Sequence, residues 1–339
     1  MTAQVEVLIT LPFPDELVSR LSGLSNRLKI TVLNPRKPED IPADVWARVE
    51  VLYTQRVLPA PEQAPHLRWI QFHYAGIDRL VDAPIVKNPD LIITTLSGTS
   101  ASQVAEHAVM MCLALGHHMP ELFASQQRQD WPADRWERFK PVELRGSTIG
   151  ILGYGSIGRQ VARLVREFGA LTLATKRDAM HPEDTGYIPE GQGDPTGDFV
   201  HRLYPGQALR SMLKDCDFVV ITAPMTPETR GSFGAAELEA MKPGAYLVNI
   251  ARGEIVDQLA LVEALRTHQI AGAALDVFVE EPLPADDPLW KLPNVIVTPH
   301  ISGISAQYDE RAIDLFSENL QRYLAGLPLY NRFNPEQGY

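Results

Sequence analysis

A chain of 339 residues is long enough for two domains, because a single hydrophobic core rarely grows beyond about 250 to 300 residues. Its 45% hydrophobic and 22% charged residues are typical of a globular protein. No apolar run reaches the roughly 18 residues that span a bilayer, which argues against a membrane protein. The net charge of −11 argues against non-specific nucleic-acid binding, since a phosphate backbone needs a basic patch.

Neither the N-terminus nor the cysteines point to a secreted protein. The stretch MTAQVEVLITLPFP has no basic region before its short apolar run, so we expect a first strand there, not a signal peptide, and a cytoplasmic location. Cys112 and Cys216 lie far apart in apolar surroundings without C-x-x-C spacing. This pattern predicts two buried free thiols, not a disulfide or a metal site.

Short apolar strands alternate with polar or helical segments over the first hundred residues. The predicted strands are VEVLIT, LKITVL, VEVLYT, LRWIQF and LIITTL, and the helix PDELVSRLSGL separates the first two. This alternation predicts a parallel sheet covered by helices. One long apolar-rich helix then follows from Ser102 to Arg128, with Pro120 as the place for a break.

A second alternating series begins at Ser147, after an irregular stretch. Its predicted strands are STIGIL, LTLAT, DFVVIT, AYLVNI, GAALDV and VIVTPH, which indicate a second doubly wound sheet. Residues 307–324 form a predicted amphipathic helix that could pack on the first domain and make that domain discontinuous. The Pro/Gly/Asp-rich segment 180–207 is long for a loop, and its role as a functional, interfacial or mobile element stays open.

Three glycines between a predicted strand and a predicted helix have G-x-G-x-x-G spacing. In a dinucleotide cradle Gly153 permits the tight turn, Gly155 lets the backbone approach the pyrophosphate, and Gly158 lets the helix lie close to the strand. The helix begins at Ser156 and Ile157, whose N–H groups would face the phosphates. The sequence therefore predicts a nicotinamide dinucleotide site.

The stretch LATKRD bears on the choice between NADP and NAD. The predicted second strand ends at Thr175, so Lys176 and Arg177 fall where the adenosine 2′ position should lie, and two cations there favour the 2′-phosphate of NADP. Two alternatives remain. The pair is a solvated basic turn, or the strand runs two residues longer and Asp178 binds the ribose of NAD.

Seven stretches in order along nearly the whole chain resemble the D-isomer-specific 2-hydroxyacid dehydrogenase family. They are HYAGID, VAEHA, ELRGSTIGILGYGSIGRQ, TAPMTPETRG, MKPGAYLVNIARGEIVD, AGAALDVFVEEPL and PNVIVTPHISG. The resemblance implies an α/β protein of two doubly wound domains. A Rossmann coenzyme domain, 103–303, would be inserted into a flavodoxin-like substrate domain, 1–102 and 304–339, with the active site between them. It also implies a homodimer, for which the helix after Ser102 is a candidate interface.

The same resemblance implies catalytic roles for three residues. Arg252 matches the arginine that binds the substrate carboxylate, for which a planar guanidinium is suited. His300 matches the general acid and base, and Glu281 the carboxylate that orients its imidazole and stabilises the protonated form. Glu280 is the neighbouring carboxylate that we expect to be solvent-exposed, although sequence alone does not separate the two.

Further positions match the family's cofactor and substrate contacts. Asp276 resembles the residue on the carboxamide side of the nicotinamide, with a buried aspartate that caps a loop as the alternative. Glu106 also matches a family position, but we expect a structural role for it. The remaining matches are Ala223, Pro224, Thr229, Ile250, Ala251 and Gly303 around the cofactor, and Tyr74, Ala75 and Gly76 in a loop whose N–H groups would bind the substrate carboxylate.

The resemblance implies NAD(P)H-dependent reduction of a small 2-oxoacid to the D-2-hydroxyacid. Phe72 and Tyr74 suggest a partly apolar pocket but do not choose the substrate. Two alternatives come from the same fold: a dinucleotide-sensing corepressor, and an oxidoreductase acting on another small anion such as phosphite. Formate oxidation is disfavoured, because Glu281 stands where a glutamine is expected.

Overall fold

Two parallel β-sheets organise the chain, each in its own compact unit. The computed structural model describes residues 4–335 and 338. The first unit comprises Met1–Ser100 and Ser305–Tyr339, and the second comprises Ala101–Ile304.

The first unit holds a five-stranded sheet with the strand order β2-β1-β3-β4-β5. All its strand pairs are parallel, and Val7 of the first strand lies opposite Val51 of the third. This is the order of flavodoxin-like folds. The strands are β1 (Val5–Ile9), β2 (Leu28–Val32), β3 (Val51–Thr54), β4 (Trp69–Phe72) and β5 (Ile92–Thr94).

The second unit holds a seven-stranded parallel sheet with the order β12-β11-β10-β9-β6-β7-β8. Counted from its own first strand, the order is that of the Rossmann fold with one strand added. The predicted fold class is confirmed. The strands are β6 (Thr148–Leu152), β7 (Leu171–Thr175), β8 (Arg202–Tyr204), β9 (Phe218–Ile221), β10 (Tyr246–Asn249), β11 (Gly272–Leu275) and β12 (Val295–Val297).

Helices cover both faces of each sheet, because each sheet is apolar on both sides and must be shielded from water. In chain order they are α1 (Asp15–Ser22), α2 (Ala43–Arg48), α3 (Ala101–Gly116), α4 (Met119–Arg128), α5 (Arg135–Arg138), α6 (Ser156–Glu167), α7 (Leu209–Leu213), α8 (Ala235–Ala240), α9 (Gln258–Arg266) and α10 (Tyr308–Leu324). Within the described residues, none of these helices is long and apolar enough to cross a bilayer.

The C-terminal helix α10 belongs to the core of the first unit. Its buried Ile313, Phe316 and Leu320 share one apolar cluster with Val5 and Trp69 of the first sheet. The helix begins within one residue of the predicted start and ends at the predicted Leu324. Burial of a leucine or phenylalanine side chain stabilises a fold by about 1.5 to 3 kcal/mol, so this contact ties the two ends of the chain together.

The long helix predicted from Ser102 to Arg128 is two helices, and the prediction of a break at Pro120 was wrong by two residues. The chain turns at His118, which has a left-handed φ of 55°, between α3 and α4. Pro120 lies in the first turn of α4, where its missing N–H costs no intrahelical bond. The proline therefore starts a helix and does not interrupt one.

The segment 180–207 carries more structure than the sequence suggested. Arg202–Tyr204 forms the edge strand β8, which pairs in parallel with β7 through contacts such as Ala174 with Leu203. A three-residue strand that includes Arg202 and is followed by a proline gives too short an apolar run to be detected. Both cysteines are buried and free, as predicted.

Candidate active site

The glycine turn between β6 and α6 leaves room for a ligand at one glycine only. Gly153 has a φ of 104°, and a Cβ there would lie 2.6 Å from the Cα of Ala223. A Cβ on Gly158 would lie 2.4 Å from the carbonyl oxygen of Gly153, so only glycine lets the helix pack this closely. A Cβ on Gly155 would meet nothing within 4 Å. The open side of the turn is therefore at Gly155, where a phosphate would have to approach.

Threonine side chains at the ends of the two neighbouring strands, β7 and β9, form hydrogen bonds with the backbone of the glycine turn. The amide of Gly153 donates to Thr175 Oγ1 at 3.1 Å, and Thr222 Oγ1 donates to the Gly153 carbonyl at 2.7 Å. Helix α6 has no side-chain N-cap and no acidic residue in its first turn, where Ser156 and Ile157 lie. The N–H groups and the helix dipole of this first turn fit an anion, so the chain's own residues fit the pyrophosphate of a dinucleotide.

The second strand ends at Thr175, and Lys176 is the first residue beyond it. The alternative that this strand runs two residues longer is therefore wrong. Asp178 instead closes a turn: its carboxylate accepts from His181 Nδ1 at 2.6 Å and from the amide of Met180 at 3.1 Å. The hydrogen bond from His181 lowers the pKa of Asp178. Lys176 donates to the carbonyl oxygens of His181 and, at 3.1 Å, of Glu183.

The segment after β9 forms a tight turn beside the cradle. Thr229 Oγ1 donates to the carbonyl of Pro224 at 2.7 Å and accepts from the amide of Thr226 at 2.8 Å. Ala223 packs its backbone against Gly153. These contacts place Ala223, Pro224 and Thr229, which are predicted to lie around the cofactor, next to the predicted phosphate turn.

Arg252 lies in the loop after β10. The side chain of Asn249, the last residue of that strand, forms hydrogen bonds with the backbone of this loop from the protein interior. Asn249 is 1% exposed, its Oδ1 accepts from the amide of Ala251 at 3.1 Å, and its Nδ2 donates to the carbonyl of Arg252 at 3.0 Å. The Arg252 guanidinium donates to the Ala251 carbonyl at 2.8 Å, and Ile250 is buried. Sequence reasoning missed Asn249, although a polar residue at the end of a buried strand was a signal for it.

Gly253 joins the Arg252 loop to the loop after β11. A Cβ at Gly253 would lie 2.0 Å from the carbonyl carbon of Phe278 and 2.4 Å from the amide nitrogen of Val279. The two backbones therefore touch where a side chain would otherwise stand. This contact fixes Arg252 relative to the segment that carries Glu281.

Replacing Gly253 with alanine should destabilise the protein by about 1 to 3 kcal/mol, because overpacking a rigid backbone contact forces it apart. Gly244 gives a matched control, since a Cβ there meets nothing within 4 Å. Urea unfolding of both variants measures the difference. Equal stability of Gly253→Ala and Gly244→Ala would show that the two loops separate freely.

His300 and Glu281 form a hydrogen-bonded pair. His300 Nδ1 lies 2.9 Å from Glu281 Oε2, and Glu281 Oε1 accepts from the amide of Phe278 at 3.1 Å. The His300 side chain is 48% exposed, and that of Glu281 is 21% exposed. Glu280 is exposed, so the structure separates the two neighbouring carboxylates. With Nδ1 facing Glu281, Nε2 is the nitrogen that can exchange a proton with a substrate.

Asp276 holds the loop that carries His300. Its buried carboxylate accepts from Thr298 Oγ1 at 2.6 Å and from the amides of Ile301 and Ser302 at 3.0 Å. The geometry therefore favours the loop-capping alternative for Asp276. His300 itself has a left-handed φ of 53°, which costs energy that such contacts offset.

Two further residues contact this network. His107 Nε2 of α3 lies 3.4 Å from Thr298 Oγ1, and burial lowers the pKa of His107, so its neutral form is favoured. Gln103 Nε2 donates to the carbonyl of Gly303 at 3.1 Å. Glu106 is exposed and accepts from Ser102 Oγ at 3.1 Å, as expected of a structural helix residue.

In the first unit, the loop from Tyr74 to Gly76 follows β4, with His73 between them. Ala75 and Gly76 are exposed, Tyr74 is half-buried, and its hydroxyl contacts Gln55 Nε2. Phe72 is 0% exposed within an apolar cluster, so the suggestion that it lines a pocket was wrong.

Buried His73 precedes this loop and fixes its start. Its Nδ1 lies 2.7 Å from the Tyr53 hydroxyl, and its carbonyl accepts from the Tyr308 hydroxyl at 2.9 Å. Burial lowers the pKa of His73 to about 4. The imidazole is therefore neutral near pH 7 and is a structural group, not an acid.

Known proteins resemble this chain over most of its length. Residues 109–302 match the family model described as "D-isomer specific 2-hydroxyacid dehydrogenase, NAD binding domain". A glyoxylate reductase of Thermococcus gammatolerans is 34% identical over 269 residues, which cover 78% of this chain and 75% of the relative. A D-3-phosphoglycerate dehydrogenase of Methanocaldococcus jannaschii is 31% identical over 95% of this chain, but the chain spans only 58% of its length.

A solved structure agrees with the fold. The D-isomer specific 2-hydroxyacid dehydrogenase of Xanthobacter autotrophicus, in complex with NADPH and MES, superposes with a TM-score of 0.79 at 27% identity. The superposition covers 99% of this chain and 100% of that one. The family model matches more than half of the chain, and the solved structure carries the same family name. The chain therefore belongs to the D-isomer specific 2-hydroxyacid dehydrogenase family.

Proposed function

We propose that this protein reduces a small 2-oxoacid to the D-2-hydroxyacid with NAD(P)H, reversibly. The observation that carries the proposal is the His300–Glu281 pair, at 2.9 Å, in the same unit as a phosphate cradle and the Arg252 loop. A general acid, a cation for a carboxylate and a dinucleotide site are the three parts that this reaction needs. The alternatives, a dinucleotide-sensing corepressor and an oxidoreductase for phosphite, do not require all three.

A dinucleotide held at the glycine turn would supply a hydride for C2 of the oxoacid, and the electron pair of the carbonyl π bond would move to the oxygen. His300 donates its Nε2 proton to the carbonyl oxygen, so that the hydroxyacid, the oxidised cofactor and neutral His300 result. Glu281 holds the ring through Nδ1 and stabilises the imidazolium before transfer. In the reverse direction neutral His300 takes the proton from the hydroxyl group.

Arg252 binds the substrate carboxylate through its planar guanidinium in this proposal. Asn249 supports that role, because it fixes the backbone of the Arg252 loop from the protein interior. The exposed backbone of Ala75 and Gly76 is proposed to donate further hydrogen bonds to the carboxylate.

Turnover with a panel of oxoacids tests the proposal and narrows the substrate. The relatives' names, glyoxylate reductase and glycerate dehydrogenase, favour glyoxylate and hydroxypyruvate over phenylpyruvate. We expect cofactor oxidation with at least one of these acids. Tight dinucleotide binding without turnover would instead support the corepressor, and oxidation of phosphite alone would support the second alternative.

We further propose NADP as the cofactor. The support is the position of Lys176 and Arg177 directly after β7, and NADPH bound to the Xanthobacter autotrophicus relative. Charge-assisted hydrogen bonds contribute about 1.5 to 3 kcal/mol each, so the double variant Lys176→Ala with Arg177→Ala should weaken NADPH binding by tens-fold or more. Binding of NADH should change much less. Fluorescence titration with both cofactors measures this.

A control variant removes the same charge elsewhere in the second unit. Arg210 and Lys214 lie at exposed positions at α7, and their double alanine variant should keep the NADPH preference. If the wild-type protein binds NADH as tightly as NADPH, the cations form a solvated turn and the proposed use of NADP is wrong.

We also propose a homodimer that uses residues 101–140. Large apolar side chains on this stretch are exposed: Met110, Phe123, Trp131 and Trp136, the last two at 83% and 76%. The Arg135 guanidinium lies 4.8 Å from the ring centre of Trp136. Exposed aromatic residues are typical of interfaces, and light scattering in solution distinguishes a dimer from a monomer.

A further inference from the structure

Residues 181–199, here called the covering segment, form no helix or strand yet are tied down along their length. The amide of Asp184 donates to the carbonyl of Pro195 at 2.9 Å, which closes the segment into a loop. The amide of Gly193 donates to Gln160 Oε1 of α6 at 2.7 Å. The segment is therefore attached to the helix whose N-terminus forms the proposed phosphate site.

A buried carboxylate organises the C-terminal part of the covering segment. Asp194 is 1% exposed, and its two oxygens accept from the amides of Gly197, Asp198 and Phe199 at 2.9 to 3.1 Å. The hydroxyl of Tyr154 donates to Asp194 Oδ2 at 2.6 Å. Burial raises the pKa of Tyr154, so this hydroxyl keeps its proton. Tyr154 lies between Gly153 and Gly155, so the bond joins the segment to the glycine turn itself.

A buried guanidinium organises the N-terminal part. Arg159, in the first turns of α6, is 1% exposed and donates to the carbonyls of Pro182 and Asp194. Its Nε lies 3.4 Å from Asp184 Oδ2, and its guanidinium lies 4.7 Å from the ring centre of Tyr154. The two terminal nitrogens of this buried guanidinium each hold a backbone carbonyl of the covering segment, which makes Arg159 a rigid support.

The first residues of the covering segment contact Lys176, the lysine that is proposed to select the cofactor. The ammonium of Lys176 donates to the carbonyls of His181 and Glu183, the first residues of the covering segment. Burial, and then the charge of Arg159, lower the pKa of Lys176. An ammonium carries three N–H donors, so two carbonyl bonds leave one donor for a phosphate.

We propose that the covering segment determines cofactor selectivity by fixing the Lys176 ammonium for the 2′-phosphate of NADP, with Asp194, Tyr154 and Arg159 as its positioning residues. A lysine side chain that is not held samples many rotamers, and ordering it on binding costs entropy. Fixing it before the cofactor binds removes this cost from the free energy of binding. The inference rests on the proposed use of NADP and names the part of the chain that makes it selective.

The test measures dissociation constants of NADPH and NADH by fluorescence for Tyr154→Phe and Asp194→Asn. We expect each to weaken NADPH binding by about tenfold, as the loss of one preorganised charge-assisted bond would, with NADH changed much less. Glu190→Gln removes the same charge at an exposed position of the segment and should change neither constant. Thermal unfolding confirms that each variant folds, and Tyr154→Phe, which deletes one oxygen atom, serves if Asp194→Asn does not fold.

Repeating the Tyr154→Phe measurement in a Lys176→Ala variant shows whether the weaker binding of NADPH depends on the lysine. In that background Tyr154→Phe should leave the ratio of the two dissociation constants unchanged. Equal losses for NADPH and NADH, or an undiminished effect without Lys176, would overturn the inference. If Lys176→Ala itself leaves the wild-type preference intact, the proposed role of Lys176 in NADP binding fails, which is a separate result.

Discussion

Replacing His300 with glutamine should lower kcat/KM for oxoacid reduction by about 10²- to 10⁴-fold, the usual contribution of a general acid. Glutamine can occupy much of the same space but cannot donate a proton to a developing alkoxide. Binding of the reduced cofactor should change little, because the cradle lies on other loops. Steady-state kinetics with the best oxoacid, together with a cofactor titration, measures both quantities.

His268 provides a control that is matched in backbone conformation as well as residue type. It is exposed and has a φ of 53°, the same value as His300. His268→Gln should leave kcat/KM within about twofold, so any loss in His300→Gln cannot come from the left-handed backbone. Glu281→Gln should lose less activity than His300→Gln, because the amide still accepts a hydrogen bond but does not stabilise an imidazolium. Full activity of His300→Gln would remove the acid from the proposed mechanism.

Features that depend on local sequence were predictable. The strand Leu171–Thr175 has the predicted bounds, because its mostly apolar run ends at the two cations Lys176 and Arg177. The roles of Gly153 and Gly158 follow similarly, since each glycine removes a Cβ that would collide with backbone. The period of apolar residues and the spacing of glycines are sufficient to predict such strands and turns.

Features that depend on contacts distant in sequence were not predictable. Glu280 and Glu281 are chemically equal neighbours that the residues alone do not separate. The family resemblance selected Glu281, and the fold places it against His300, 19 residues away. The covering segment is polar and rich in turns, yet Asp194 gives it a buried centre through Tyr154, 40 residues before it. Composition left the role of this segment open, because it counts polar residues without their partners.

Replacing Arg252 should lower activity by an amount that depends on whether the new side chain keeps the charge and the planar pair of donors. In the proposed mechanism Arg252→Ala removes a fork that would make two charge-assisted bonds to the substrate carboxylate, each worth about 1.5 to 3 kcal/mol, so kcat/KM should fall by about 10²- to 10⁴-fold. Arg252→Lys keeps the charge but loses the planar pair of donors, and its kcat/KM should lie between those of the alanine variant and the wild type. In both variants KM should rise, because the carboxylate is bound before the chemical step as well as during it.

Chemical rescue separates a missing guanidinium from a damaged loop. The Asn249 bonds go to the backbone of residues 251 and 252, so the loop should persist without the arginine side chain. Added guanidinium chloride, at concentrations below those that unfold the protein, should then restore part of the activity of Arg252→Ala. Arg266→Ala, at an exposed position at the end of α9, should keep its activity and should not respond to the salt. If Arg252→Ala retains wild-type KM and kcat, the carboxylate is bound by other residues, and the loop that Asn249 and Gly253 fix serves the cofactor alone.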